Sequence, residues 1–268
     1  MNPFDYARAK DAADAAKAHA GGGEAMYLAG GQTLLPVIKQ GLAMPETLVD
    51  LNGAPSLAGI QVAGGSVTIG AMTRHAAVAA SAEVKAAIPA LAILAGGIGD
   101  PQVRNRGTLG GSLANNDPAA DYPAAVLGLG ATVVTDRREI AAEDYFDGMF
   151  TTSLEEGELI TAVRFPVPEK AGYAKFKHPA SRFALVGVFV AKTKAGVRVA
   201  VTGAGQGGVF RATVLEDALN KDFSAGPLRD IDIPEDDLMT DMHGAADYRA
   251  HLIGVMAARA VKQANGQK

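Results

Sequence analysis

Two short clusters in this chain hold residues suited to gripping a ligand rather than reacting with it. Ala29-Gly-Gly-Gln-Thr33 and Thr108-Leu-Gly-Gly-Ser112 share a form: a small or hydroxyl residue, paired glycines, then a hydroxyl residue close behind. A pyrophosphate carries about two negative charges, and loops of this kind hold it by aiming main-chain N–H groups at it. Glycine serves there because a Cβ would block the approach. In a chain with 32 glycines the same pairs also read as plain turns.

Other constellations offer less. Gly203-Ala-Gly-Gln-Gly-Gly208 satisfies the dinucleotide fingerprint G-x-G-x-x-G, but Val209-Phe-Arg-Ala-Thr213 behind it is a poor helix entry, so it reads as a glycine turn between a strand and a helix. Gly110-Gly-Ser-Leu-Ala114 half-matches a nucleophile elbow and has alanine where the second glycine belongs. His19, His75, His178, His243 and His251 show neither i,i+4 pairing nor a carboxylate at metal-ligand spacing, which leaves them as surface or helix-capping residues and implies no metal site. Arg104 and Arg106 lie close to the second glycine cluster, and either neutralise phosphate or pair across a subunit interface. The acidic stretch Pro234–Asp241 reads as a solvated loop, with docking to another subunit as the alternative.

Composition narrows the classes further. With 268 residues, 48% hydrophobic and 20% charged, the chain is long enough for one large domain or two modest ones and is neither disordered nor collagen-like. Its 25 basic against 29 acidic residues leave no surplus to neutralise a nucleic-acid backbone. The absence of cysteine removes disulfides, thiolate nucleophiles and any iron–sulfur cluster held by this chain, so redox work would need an organic cofactor. Met1–Ala20 lacks the n- and h-regions of a signal peptide, and no transmembrane segment is apparent, which points to the cytoplasm.

The elements that must position these loops follow from patterning. Asp5 is placed to cap a helix to about Ala20, stopped by Gly21-Gly-Gly23. Strands are expected over Ala25–Ala29 and Thr47–Leu51, then a hairpin of 59–63 with 67–70 across Gly64-Gly65, then alanine-rich helices near 76–80 and 84–95. Gly96–Asp117 reads as a long functional loop, followed by a helix over 119–129 and strands at 131–135 and 158–165. Pro166–Gly172 is the best domain boundary. Behind it, 173–177, 184–191 and 197–202 form consecutive antiparallel strands, then come a helix over 212–220 and a terminal helix with Tyr248, Leu252, Met256 and Ala260 on one face.

The continuous run from Ala95-Gly-Gly-Ile-Gly-Asp-Pro-Gln-Val-Arg-Asn-Arg through Gly-Thr-Leu-Gly-Gly-Ser-Leu-Ala-Asn-Asn to Asp-Pro-Ala-Ala-Asp121 resembles the signature of one family. That family is the FAD-binding medium subunits of molybdenum hydroxylases, of xanthine dehydrogenase and carbon monoxide dehydrogenase type. The resemblance extends to the early AGGQT and to the late GAADYRAHL. It implies that Ala29, Gly30, Gly31, Gln32 and Thr33 together with Thr108, Leu109, Gly110 and Gly111 bind the FAD diphosphate, with Ser112 and Asn115 beside them; Leu109 replaces a more frequent isoleucine. It further implies that Asp121 contacts the adenosine ribose and that Ile98 and Phe183 lie against the isoalloxazine, Phe183 replacing a frequent tyrosine and lacking its hydroxyl. Lys175 or Lys177 would approach the pyrimidine end of the flavin.

The resemblance also implies an α+β architecture. Residues 1–170 would be an FAD-binding domain of vanillyl-alcohol-oxidase type in two lobes, about 1–55 and 56–170, and residues 171–268 an antiparallel three-stranded sheet with helices that covers the flavin. The implied role is electron transfer without a catalytic side chain. Substrate would be oxidised at a molybdenum cofactor on a large subunit, electrons would cross 2Fe-2S clusters on a small subunit, and this chain's FAD would pass them to a terminal acceptor such as a quinone, NAD or oxygen. The assembly implied is a heterohexamer of two large, two medium and two small subunits, in the cytoplasm or at the inner face of the membrane, acting on carbon monoxide, a purine or other N-heterocycle, or an aldehyde. Two other readings stand beside it: a free-standing FAD-dependent oxidoreductase and a nucleotide-binding module without redox work.

Overall fold

The computed structural model describes residues 2–267, so Met1 and Lys268, the outer ends of the two expected units, lie outside the described residues. The chain opens with strand β1 (Asp5–Arg8), where a helix was expected from Asp5. The true cap is Asp11, whose carboxylate accepts from the Asp14 N–H at 2.8 Å and starts α1 (Ala12–Ala20). Asp5–Arg8 is extended because it pairs along its whole length with a strand more than forty residues away, a tertiary contact that local propensity does not register. Strand β2 (Ala25–Leu28), helix α2 (Leu34–Lys39) and strand β3 (Thr47–Asp50) complete a parallel sheet in the order β1-β3-β2. Its central strand is fully buried, as a parallel strand covered on both faces must be.

Strands β4 (Ile60–Ala63) and β5 (Ser66–Gly70) form the expected hairpin, with Gly64 and Gly65 at positive φ. Helices α3 (His75–Ala80), α4 (Ala82–Ala87) and α5 (Pro89–Gly96) follow. The expected long loop contains two short helices instead: α6 (Pro101–Arg106), opened by an Asp100 cap and a proline at its start, and α7 (Leu109–Asn115), opened by Thr108. Both carry start signals that the glycines around them and within α7 hide. Helix α8 (Tyr122–Leu129) is apolar all round and buried at every residue, which fits a helix with protein on all sides. Strands β6 (Thr132–Thr135) and β7 (Glu139–Ala141), helix α9 (Ala142–Tyr145) and strand β8 (Ile160–Pro166) close a five-stranded antiparallel sheet in the order β4-β5-β8-β6-β7.

The remaining strands are β9 (Lys170–Lys177), β10 (Ala184–Thr193), β11 (Gly196–Gly205) and β12 (Gly208–Arg211). They form an antiparallel sheet of four strands rather than the expected three. The extra strand is the segment behind the G-x-G-x-x-G run: the chain turns at Gln206-Gly207, Gly208 takes φ +94°, and Gly208–Arg211 pairs back onto β11. Helix α10 (Thr213–Lys221) and the terminal helix α11 (Ala246–Ala264) follow, with Leu252, Ile253, Met256, Ala257 and Ala260 of α11 buried in one core with β10 and β11. The opposite face of that sheet, at Phe189, Ala191 and Ala200, joins the core that surrounds α8. The fold is therefore a mixed helix-and-sheet one, and among the described residues no helix is long and apolar enough to cross a membrane.

Candidate functional site

The first glycine cluster leaves the carboxyl end of β2, the end of a parallel sheet where loops gather and ligands bind. Gly31 takes φ +71°, so an L side chain would be strained there. Among the described residues, the main-chain N–H groups of Gly30, Gly31, Gln32, Thr33 and Leu34 have no acceptor; the first N–H engaged is that of Leu35, which donates to the Gly31 carbonyl at 3.3 Å. Thr33 stands at the cap position of α2 and makes no side-chain cap bond, so its hydroxyl too is unengaged. Five consecutive unmatched donors on one bend form an anion-binding concavity.

The second cluster is different in kind. The Leu109 N–H donates to the Thr73 carbonyl at 3.1 Å, Gly110 to Ala71 at 2.8 Å, Gly111 to the Thr108 hydroxyl at 3.2 Å and Ser112 to the Thr108 carbonyl at 3.0 Å. Its amides are satisfied at home, and Leu109 is buried in the core beside Leu113. What this cluster provides is a wall. A Cβ on Gly111 would stand 3.6 Å from the Ala29 Cβ, and one on Gly30 would clash with the Arg106 carbonyl oxygen and stand 2.8 Å from the Gly107 Cα. The first cluster is thus in backbone contact with Arg106-Gly107, the turn that leads into the second cluster nearly eighty residues on in sequence, and Ser112 and Asn115 are half-buried on the short helix behind it. Arg104 donates to the carbonyls of Ile98 at 2.9 Å and Gly99 at 3.3 Å, which fixes the turn carrying Ile98, while Arg106 is exposed.

Sequence reasoning missed His75. It is buried rather than a surface residue, at 5% exposure, under the turn of the second cluster: its main-chain N–H donates to the Gly107 carbonyl at 3.0 Å, and a Cβ on Gly107 would lie 2.6 Å from its Nε2. Its Nδ1 and the hydroxyl of Tyr122, whose ring centroid is 5.3 Å away, are buried without partners among the described residues. Burial, with Arg104 nearby, pulls the His75 pKa from 6.5 down to about 4. The unfolded chain therefore binds a proton first as pH falls. Stability from the neutral imidazole is complete above pH 6.5 and declines toward pH 4, by up to about 3 kcal/mol. In His75→Gln, chemical unfolding across that window is expected to lose this part of its pH slope; an unchanged slope would assign the acid sensitivity elsewhere.

A second group of expected residues collects where the four-stranded sheet meets the segment before α8. Phe183, 47% exposed, precedes β10, and the next residue's N–H reaches the Ala119 carbonyl at 3.4 Å. The Lys175 Cε lies 3.8 Å from where a Cβ on Gly97 would be, so Lys175 crosses the turn that ends in half-buried Ile98. Asp121, expected at the ribose, is 4% exposed and fully engaged. It accepts from the Tyr173 hydroxyl at 2.5 Å and pairs with the Lys175 ammonium at 2.8 Å, and the Lys175 side chain is itself 3% exposed. Burial, then the Asp121 charge, holds the Tyr173 hydroxyl pKa well above its usual value. Of the two lysines, Lys175 is committed to this buried cluster and Lys177 is exposed.

The arrangement has the chemistry of a binding site. It presents an amide-lined bend fit for the diphosphate of FAD, a backbone wall against it, and an exposed aromatic face. Among the described residues no cluster of three or more His, Cys, Asp or Glu is placed to hold a metal ion.

Residues 2–168 match the family model described as the FAD binding domain in molybdopterin dehydrogenase. The chain is 37% identical to the carbon monoxide dehydrogenase medium chain of Afipia carboxidovorans, covering 98% of this chain and 97% of that one. It is 36% identical to the nicotine 6-hydroxylase medium subunit of Paenarthrobacter nicotinovorans, covering 91% of each. Among solved structures, a chain of the reconstituted CO dehydrogenase from Oligotropha carboxidovorans superposes with a TM-score of 0.88 at 34% identity, over 100% of this chain and 99% of that one.

Proposed function

This chain belongs to the family of FAD-binding medium subunits of molybdenum hydroxylases, and on that premise we propose that its two glycine clusters and the Ile98–Lys175–Phe183 region together hold one FAD for electron transfer. The observation that carries the reading is the row of unengaged N–H groups from Gly30 to Leu34 at the carboxyl end of a parallel sheet. Bound FAD supplies a two-electron store between one-electron 2Fe-2S clusters on a small partner subunit and a terminal acceptor.

The work of this chain is to bind and orient. The Gly30–Leu34 amides and the Thr33 hydroxyl grip the diphosphate, with Ala29 and Gln32 framing the bend. Thr108, Leu109, Gly110, Gly111, Ser112 and Asn115 set the wall opposite. Ile98 and Phe183 bracket the isoalloxazine with apolar surface, and Lys177 brings positive charge near it. Asp121 stays near the ribose by the same assignment and also holds Lys175 in place. Residues 1–170 form the FAD-binding unit, with lobes at about 1–55 and 56–170 in the vanillyl-alcohol-oxidase manner, and 171–268 covers the flavin.

The partners are a large molybdopterin-binding subunit and a small 2Fe-2S subunit in a heterohexamer, in the cytoplasm or against the inner face of the membrane. The substrate is bound by the large subunit, and carbon monoxide, an N-heterocycle or an aldehyde are the substrates that the names of the relatives favour. The test is cofactor analysis of the purified complex: one FAD per copy of this chain, with molybdenum and iron co-purifying. Nucleotide without flavin bands would favour a binding module, and flavin without molybdenum and iron a free-standing oxidoreductase; either result overturns the proposal.

A further inference from the structure

We propose that Asn52 is the positioning residue that aims the diphosphate-binding amides, an inference that rests on the reading of Ala29–Thr33 given above. Asn52 sits in a short helical turn, Leu51–Gly53, directly after β3, so it and the first glycine cluster emerge side by side from the carboxyl ends of adjacent parallel strands. Its Nδ2 donates to the Ala29 carbonyl at 3.1 Å and to the Asp50 Oδ1 at 2.6 Å. Both neighbours are acceptors only, so it is the side-chain nitrogen, not the oxygen, that must face them.

Asp50 is itself fixed. It is 8% exposed, its Oδ1 also accepts from the Asn52 main-chain N–H at 2.9 Å, and its Oδ2 accepts from the Tyr6 hydroxyl at 2.5 Å. Tyr6 comes from β1, Asp50 from β3, and Ala29 follows β2, so the relay ties all three strands to one carbonyl.

That carbonyl decides where the binding amide points. In a trans peptide the C=O of one residue and the N–H of the next lie in one plane and point in opposite directions. Holding the Ala29 oxygen toward Asn52 therefore turns the Gly30 N–H to the side away from Asn52, where it meets no acceptor among the described residues. The following residues are Gly30 and Gly31, the type least able to resist rotation of a peptide plane. Without the Asn52 donor, the Ala29–Gly30 plane is free to present its oxygen to the ligand instead, and an oxygen repels a diphosphate.

The experiment uses the complex stripped of FAD and titrated with FAD or with ADP, which carries the diphosphate without the flavin. In Asn52→Leu, which keeps volume and removes the donor, and in Asn52→Ala, both dissociation constants are expected to rise about tenfold and by the same factor. The melting temperature of the stripped complex and the potential of the reloaded flavin are expected to stay at the wild-type values. Affinities within twofold of wild type, weakened FAD with unchanged ADP, or a lowered melting temperature that accounts for the loss would each overturn the role. Gly30→Val, run alongside, separates the two levels. If it too retains full affinity, the diphosphate is not on this bend at all; if it loses FAD while the Asn52 variants do not, only the inference about Asn52 fails.

Discussion

Replacing Asp121 with alanine is expected to destabilise the fold by about 3–5 kcal/mol, read as a shift in the urea unfolding midpoint. The carboxylate joins the start of α8 to β9 through Lys175 and Tyr173, with both charged side chains out of water. Removing it leaves a buried ammonium with no counter-charge and a buried phenol with no acceptor, the costly way to break such a pair. Asp121→Asn keeps an acceptor for Tyr173 and loses only the charge, so an intermediate loss is expected. Asp121→Leu combined with Lys175→Met removes both charges, and recovery of most of the stability would locate the effect in the pair. If Asp121→Ala instead unfolds within about 1 kcal/mol of wild type while FAD is lost, the carboxylate acts on the cofactor rather than within the protein.

The contrast between Asp121 and the glycine clusters indicates what a sequence of this kind discloses. The paired glycines are visible because their requirement is local: a bend at Gly31 with positive φ, and a backbone contact at Gly30 that a Cβ would fill. The Gly64-Gly65 hairpin is visible for the same reason. The Asp121–Lys175 pair spans 54 residues and leaves no spacing to read, so each member looks like an isolated charge available to a ligand. His75 is similar, since nothing in Thr-Arg-His before an alanine-rich helix says that the ring will lie under a turn thirty residues later. The helices α6 and α7 were legible and were hidden by composition. Asp100-Pro101 and Thr108 are ordinary start signals, outweighed by the glycines around them. Strand β1 was not legible, because only its parallel partner makes it extended. The second cluster has the same pattern as the first, yet its amides turn inward to Thr73 and Ala71, and only the surrounding fold separates the two uses.

Gly30→Val is expected to yield a folded complex whose FAD content falls below about a tenth of wild type. The obstruction is backbone, not side chain. A Cβ at this position meets the Arg106 carbonyl and the Gly107 Cα, atoms that cannot rotate away, so the two bends must part. Parting them moves the unengaged amides of residues 30–34 off the wall formed by Gly107–Gly111, and with them the diphosphate site. Gly30 is itself buried and its neighbour Ala29 packs against one of the hydrophobic cores, so a fall in melting temperature is expected beside the loss of FAD. Gly110→Val makes the useful comparison: its Cβ would stand 2.6 Å from the Ala71 Cβ, and the Ala71 carbonyl accepts the Gly110 N–H, so that change strains the core as well as the site. Both variants should lose FAD, and Gly110→Val, whose new side chain enters the core beside Ala71, should lose more stability. A Gly30→Val complex with a full complement of FAD would detach the diphosphate from this bend, because no rearrangement that admits the new side chain leaves the two clusters in contact.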